Sequence, residues 1–184
     1  MTRDEALTLV NSWTKNKNLV KHMLAVEATM GGLAKHFKED EDLWKVIGLI
    51  HDADYEKYPD RHPLVLIEEL EKRNEDPVII NAIKSHAWGY CEGLPEPKTN
   101  LEWSLYCSDE LTGLIVAVTL VRPEKKLSVV TVENVLSKWT KKEFARGVDR
   151  KNIELCEEKL GIKLPDFIQI VLSSMQEISE SLEL

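Results

Sequence analysis

No apolar run in this sequence is long enough to cross a bilayer: the longest, Leu114 to Val121, falls far short of the roughly 20 residues a spanning helix needs. The stretch MTRDEALTLVNSW lacks a basic segment followed by an uninterrupted apolar one, so neither secretion nor membrane insertion is expected. Cysteine is scarce. Cys91, Cys107 and Cys156 are odd in number and stand in no zinc-type spacing, which excludes a disulfide framework and a zinc finger and points to reduced thiols in a cytoplasmic protein. Strand-like alternation is missing beyond LSVVTV, which reads as a short extended connection, and no repeat, linker or low-complexity tract marks a second domain. Positive charge is in deficit as well: the net charge of -8 argues against stable nucleic-acid binding. One segment departs from that balance, because Arg122 to Lys151 holds nine Lys or Arg against four Asp or Glu and could recruit an anionic small molecule.

What is present is helical periodicity. Thr2 with Glu5 forms a capping box ahead of Ala6, Leu7, Val10 and Trp13. Asn18 is placed to cap a longer helix whose apolar positions Leu19, Met23, Val26, Met30, Leu33 and Phe37 share one face. Asp40 or Asp42 opens a helix with Leu43, Val46, Ile47 and Ile50 inward; Pro63 starts one carrying Leu66, Ile67 and Leu70; Asp76-Pro77 starts another carrying Ile79, Ile80 and Ile83. Ala87 to Thr99 reads as a loop, and Asn100 begins a helix running to about Val121, stopped by Arg122-Pro123. Shorter helices are predicted over Val132 to Trp139, Lys141 to Ala145 behind a Thr140/Glu143 capping box, Arg150 to Leu160 ending at Gly161, and Pro165 to about Leu182. With 184 residues the chain can bury a self-sufficient core, so an all-α fold is expected, a single compact helical bundle over residues 1–184.

Several polar residues interrupt the apolar faces. His22 shares a face with Leu19, Met23 and Val26; His51 and Asp52 follow the apolar end of the helix closing at Ile50; His62 precedes Pro63; His86 closes the helix of Ile79 and Ile83; Asp109 lies on a face with Leu105 and Val116. Singly, each has a plain structural explanation, such as a hydrogen-bonded core histidine, a turn residue, or an imidazole at a helix C-terminus. Together they are the kind of donor set that bundles assemble from facing helices. Imidazole and carboxylate without thiolate suit Mn, Fe, Co, Ni or Zn better than an all-oxygen Ca or Mg site. His36 is read as structural. Asp54 and Glu110 could accept from imidazole N–H groups, Trp88 and Tyr90 either stack on a base or pin their loop, and Arg146 in FARGV could grip a phosphate bidentately.

A lone His, the doublet His51-Asp52 and a distant Asp109 resemble the HD-domain superfamily of metal-dependent phosphohydrolases, and the histidines of DRHP and KSHAWG look like those of its dinuclear members. The stretches NLVKHMLAVE, GLIHDADYE, SDELTGLIVAVTLVRPEKKL and FARGVDR are similar to those of small bacterial and archaeal HD-superfamily hydrolases. The resemblance implies an HD-type bundle with its metal-site core at about 18–122 and the helices of about 123–184 packing on it. It implies that His22, His51, Asp52 and Asp109 hold a first divalent ion, that Asp52 bridges to a second held by His62 and His86, and that Asp52 and Asp109 serve catalysis. The expected activity is hydrolysis of a phosphoester or phosphoanhydride in a small, nucleotide-like substrate. Oxidative cleavage at a di-iron pair and a non-catalytic metal-containing nucleotide sensor are the rival readings.

Overall fold

Capping chemistry decides where the helices begin. In the computed structural model, which describes Met1 to Leu184, Thr2 and Glu5 make the expected capping box at the head of α1 (Arg3–Trp13). The long helix α2 (Lys17–Phe37) is capped by Asn16 rather than Asn18. The reason is tertiary: Glu56, far along the chain, accepts from the backbone N–H groups of Lys15 and Asn16, both at 2.8 Å, and anchors the helix start two residues earlier. Asp40 caps α3 (Glu41–Ile50), Pro63 precedes α4 (Leu64–Lys72), Asp76 caps α5 (Pro77–His86), and a Thr99/Glu102 capping box opens α6 (Asn100–Leu120).

The C-terminal third departs more from the sequence reading. LSVVTV contains a 3-10 turn, Leu127–Val129, before α7, which covers only Val132–Leu136. Lys141 to Ala145 forms turns instead of a helix despite Thr140 and Glu143. Ala145 sits at φ 48°, and the Arg150 guanidinium takes the carbonyls of Phe144 and Val148, so the Phe144 carbonyl is spent on a tertiary bond. Then α8 (Arg150–Leu160) ends at Gly161 in the left-handed conformation, as expected. The last helix is broken in two, α9 (Leu164–Glu177) and α10 (Ser179–Leu182), where Ile178 leaves helical geometry at ψ 19°.

One continuous buried cluster takes residues from all ten helices. At its centre lie α2 and α6. Leu101, Leu105, Leu111, Leu114, Ile115 and Val118 of α6 are buried on several sides, the pattern of a helix inside a core rather than on its surface. α2 packs on α3, α6 and α9, while α5 and α8 flank α6. The α2–α3 contact is close enough that a Cβ on Gly48 would stand 2.7 Å from the Val26 carbonyl oxygen, so the residue there has to be glycine. That approach places the end of α3 beside the middle of α2, which itself packs on α6.

Candidate metal centre

Five segments deliver six polar side chains to one place. His22 comes from α2, His51 is the residue that closes α3, Asp52 follows it in a turn, His62 precedes α4, His86 ends α5, and Asp109 projects from α6. His51 is fully buried and His86 nearly so. The other four are each less than a third exposed and line a cleft of ≈ 400 Å³ together with His86.

All four imidazoles are oriented the same way by their outer nitrogen. His51 Nδ1 lies 2.8 Å from the Gly48 carbonyl, and His86 Nδ1 lies 2.6 Å from that of Ile83. A carbonyl only accepts, so each ring donates from Nδ1 and keeps a lone pair on Nε2 when neutral. His62 Nδ1 is 2.7 Å from Asp54 Oδ1, which asks for the same tautomer. His22 Nδ1 is 3.3 Å from Thr112 Oγ1; that hydroxyl gives its own proton to the Asp109 carbonyl at 2.8 Å and is left to accept. Four Nε2 atoms therefore point inward.

They meet Asp52 and Asp109. His22 Nε2 is 2.9 Å from Asp109 Oδ1, 3.2 Å from His51 Nε2 and 3.6 Å from Asp52 Oδ2; His51 Nε2 is 3.5 Å from both carboxylates. On the other side, Asp52 Oδ1 is 3.3 Å from His62 Nε2 and 3.8 Å from His86 Nε2. Asp52 thus turns one oxygen to His22 and His51 and the other to His62 and His86. Two three-residue groups with donor atoms within 4.8 Å of one another result, His22-His51-Asp52 and Asp52-His62-His86.

These residues fit a divalent ion on two counts. Bonds of about 2.1 Å imply donor-to-donor edges of about 3.0 Å in an octahedron and about 3.4 Å in a tetrahedron, and the spacings here, from 2.9 Å between His22 and Asp109 to 3.8 Å between His86 and Asp52, bracket both. His86 Nε2 is also buried with no hydrogen-bond partner at all, a cost that a ligand bond would remove. Electrostatics agree. Burial opposes charging His51, yet the carboxylates of Asp52 and Asp109 outweigh it and hold the imidazole at about 9. Burial likewise opposes the charge on Asp52 and Asp109, and the surrounding histidines overcome it, keeping both below the usual carboxylate range.

Asp54 is fully buried and works behind the cluster: besides His62 it accepts from the Leu66 N–H at 2.9 Å, tying the His62 turn to the first turn of α4. Glu110, by contrast, does not reach an imidazole; it accepts from the Tyr90 hydroxyl at 2.9 Å. Tyr90 lines the cleft, whereas Trp88 packs edge-on to Trp103 and against Tyr106, pinning its loop. Arg146 is exposed and pairs with Glu143, outside the cleft wall, where Val148 and Asn152 stand instead. His36 stacks edge-on to Phe37 at the end of α2, away from the site. Sequence reasoning missed Tyr106 and Thr112, although both sit three residues from Asp109 on a helix and share its face. Tyr55 and Asn152, also in the cleft wall, carry no local signal.

Comparison with known proteins adds the family. Residues 19–91 match the HD domain family. Ribonuclease Y of Staphylococcus epidermidis (strain ATCC 35984) is 39% identical over 101 residues, 53% of this chain but only 18% of that protein. Ribonuclease Y of Bacillus thuringiensis (strain Al Hakam) and of Bacillus cereus (strain ZK / E33L) are each 32% identical over 101 residues, again 18% of their length. The matched stretch is thus under a fifth of those relatives. Five of the six clustered residues, His22, His51, Asp52, His62 and His86, fall inside residues 19–91, the segment of the chain that matches the HD domain family.

Proposed function

We propose that this protein is a metal-dependent phosphohydrolase acting on a phosphoester or phosphoanhydride bond of a small, nucleotide-like substrate. The observation that carries the reading is the common orientation of four imidazoles, each with Nδ1 engaged and Nε2 turned toward Asp52 and Asp109. In this reading His22, His51, Asp52 and Asp109 hold one divalent transition ion, and Asp52, His62 and His86 hold a second, the ions being of the Mn, Fe, Co, Ni or Zn type. Bound there, such ions supply a water acidic enough to attack phosphorus near neutral pH and charge to stabilise the phosphoryl oxygens.

The chain's own residues do the rest. Asp52 offers an oxygen to each half of the cluster and so holds the two halves in register. Asp109, with 27% of its side chain still open to the cleft, is placed to orient the attacking water as well as to hold the ion. Thr112 and Asp54 engage the Nδ1 atoms of His22 and His62, which leaves the inward Nε2 atoms as the ones that would bind a metal. A cleft of ≈ 400 Å³ suits a small molecule better than a polymer.

The test is reconstitution. The chelated protein is reloaded with Mn²⁺, Fe²⁺ or Zn²⁺ and assayed on phosphomonoesters, nucleotides, dinucleoside polyphosphates and short RNA. Metal-dependent phosphate release, lost in Asp52→Asn, is expected. Oxygen consumption without phosphate release would move the reading to oxidative cleavage, tight nucleotide binding without turnover to a sensor, and preferred cleavage of RNA to the activity that the relatives' name states.

A further inference from the structure

The cleft that opens onto the histidine cluster contains no Lys or Arg. Apart from the histidines and the two aspartates, its wall presents Tyr55, Tyr90, Tyr106, Cys91, Glu110 and Asn152 among small and apolar side chains. The cations nearby are turned elsewhere. Lys21, beyond His22, pairs with Glu183; the Arg150 guanidinium is spent on two backbone carbonyls; Lys57 lies over the rings of Trp13 and Tyr58; Arg61 pairs with Glu68. Sites that hold a chain of phosphates generally spread Lys, Arg or further backbone donors along it, because each added phosphoryl group brings charge that must be neutralised. Here Asp52, Asp109 and Glu110 are all acidic, so even two divalent ions would leave the lining with at most one net positive charge.

We infer that the substrate is a phosphomonoester, one phosphoryl group on a neutral, hydroxyl-bearing organic group, and that nucleoside di- and triphosphates are disfavoured. The inference rests on the phosphohydrolase reading and narrows it. Opposite the cluster, Asn152 Nδ2 donates to the Tyr90 hydroxyl at 2.7 Å, and that hydroxyl donates to Glu110 Oε1 at 2.9 Å. This chain of neutral donors and a carboxylate acceptor, joined by the nearby Tyr106 phenol, matches hydroxyl groups and a flat ring. It offers a second or third phosphate no cation and sets the Glu110 carboxylate against it, and discrimination of this kind depends on the repulsive element as much as on the attractive one.

The experiment uses the full chain loaded with Mn²⁺. Hydrolysis of adenosine 5′-monophosphate and p-nitrophenyl phosphate is compared with that of adenosine 5′-triphosphate, and calorimetric binding of the two nucleotides is measured with the triphosphate supplied as its magnesium complex. The monophosphates are expected to win by at least about tenfold in kcat/KM, and the monophosphate to bind more tightly. Asn152→Lys places a cation on the wall and is expected to move both ratios about tenfold toward the triphosphate; Val148→Lys, from a neighbouring wall position, serves if the first variant folds poorly. Glu143→Lys, far outside the cleft, should move neither. Preference of the unaltered protein for the triphosphate, or ratios that ignore both wall variants, overturns the inference while leaving phosphohydrolysis standing. Failure to cleave any ester overturns the phosphohydrolase reading, and the calorimetric ratios then decide the charge argument alone.

Discussion

Asp54→Asn isolates the support behind the cluster from the cluster itself. The native carboxylate accepts from two donors, His62 Nδ1–H at 2.7 Å and the Leu66 N–H at 2.9 Å, at a site with no exposure. An isosteric amide has one accepting oxygen and one donating nitrogen, so it can satisfy only one of the two and turns N–H against N–H at the other. Leaving one buried donor unmet costs about 1–3 kcal/mol. For a domain of this size that is a fall in Tm of about 2–12 °C. If the amide keeps Leu66, His62 loses the acceptor that fixes its tautomer, and removal of such a partner typically weakens metal affinity about 10–100-fold. Thermal melts of the metal-free protein read the first effect, and chelator competition on the loaded protein reads the second. A variant with unchanged Tm and unchanged metal affinity would refute the argument that Asp54 orients His62.

Three other outcomes are expected. Gly48→Ala should destabilise by about 1–3 kcal/mol or more in urea unfolding, since the added methyl meets the Val26 carbonyl at 2.7 Å and must push α3 from α2. Gly113→Ala should do the opposite: within α6 the new Cβ meets nothing nearer than Val148 Cγ2 at 3.9 Å, so the helix gains up to about 1 kcal/mol, while the methyl fills cleft floor and raises KM for bulky substrates. In the metal-free protein His51 keeps its proton to about pH 9 when folded, against 6.5 for a free imidazole. Its ion pair therefore contributes fully below pH 6.5 and fades as pH rises through 9, and metal loading near pH 7.5 in weak buffer should release protons, with affinity falling as pH is lowered.

Much of the helical frame was legible because caps and apolar spacing are local. The Thr2/Glu5 box, Asp40, Asp76-Pro77 and Gly161 all act where the sequence places them. Local signals failed where a distant residue decided the matter: Glu56 moved the start of α2 from Asn18 to Asn16, and Arg150 holds the Phe144 carbonyl beside Ala145, whose φ of 48° is outside helical geometry, where a helix at Lys141 to Ala145 is predicted. The same distinction runs through the site. A histidine or aspartate interrupting an apolar face is visible in one dimension, whereas the inward burial of Asp54 depends on how the turn after Ile50 folds back onto α4. Trp88 and Arg146 carry suitable chemistry, but packing against Trp103 and pairing with Glu143 set their directions.

The claim on which the rest depends is that six side chains from five segments bind a divalent metal. Its most direct test is the metal content per chain after chelation and Mn²⁺ reconstitution, measured beside Tm for the unaltered protein and Asp52→Asn. Uptake of one or two ions is predicted, with stabilisation of about 2.7 kcal/mol at metal concentrations one hundred times Kd. Both should be diminished or lost when the aspartate shared by the two groups becomes an amide. An unaltered protein that takes up no stoichiometric metal and melts at the same temperature with and without chelator would contradict the account.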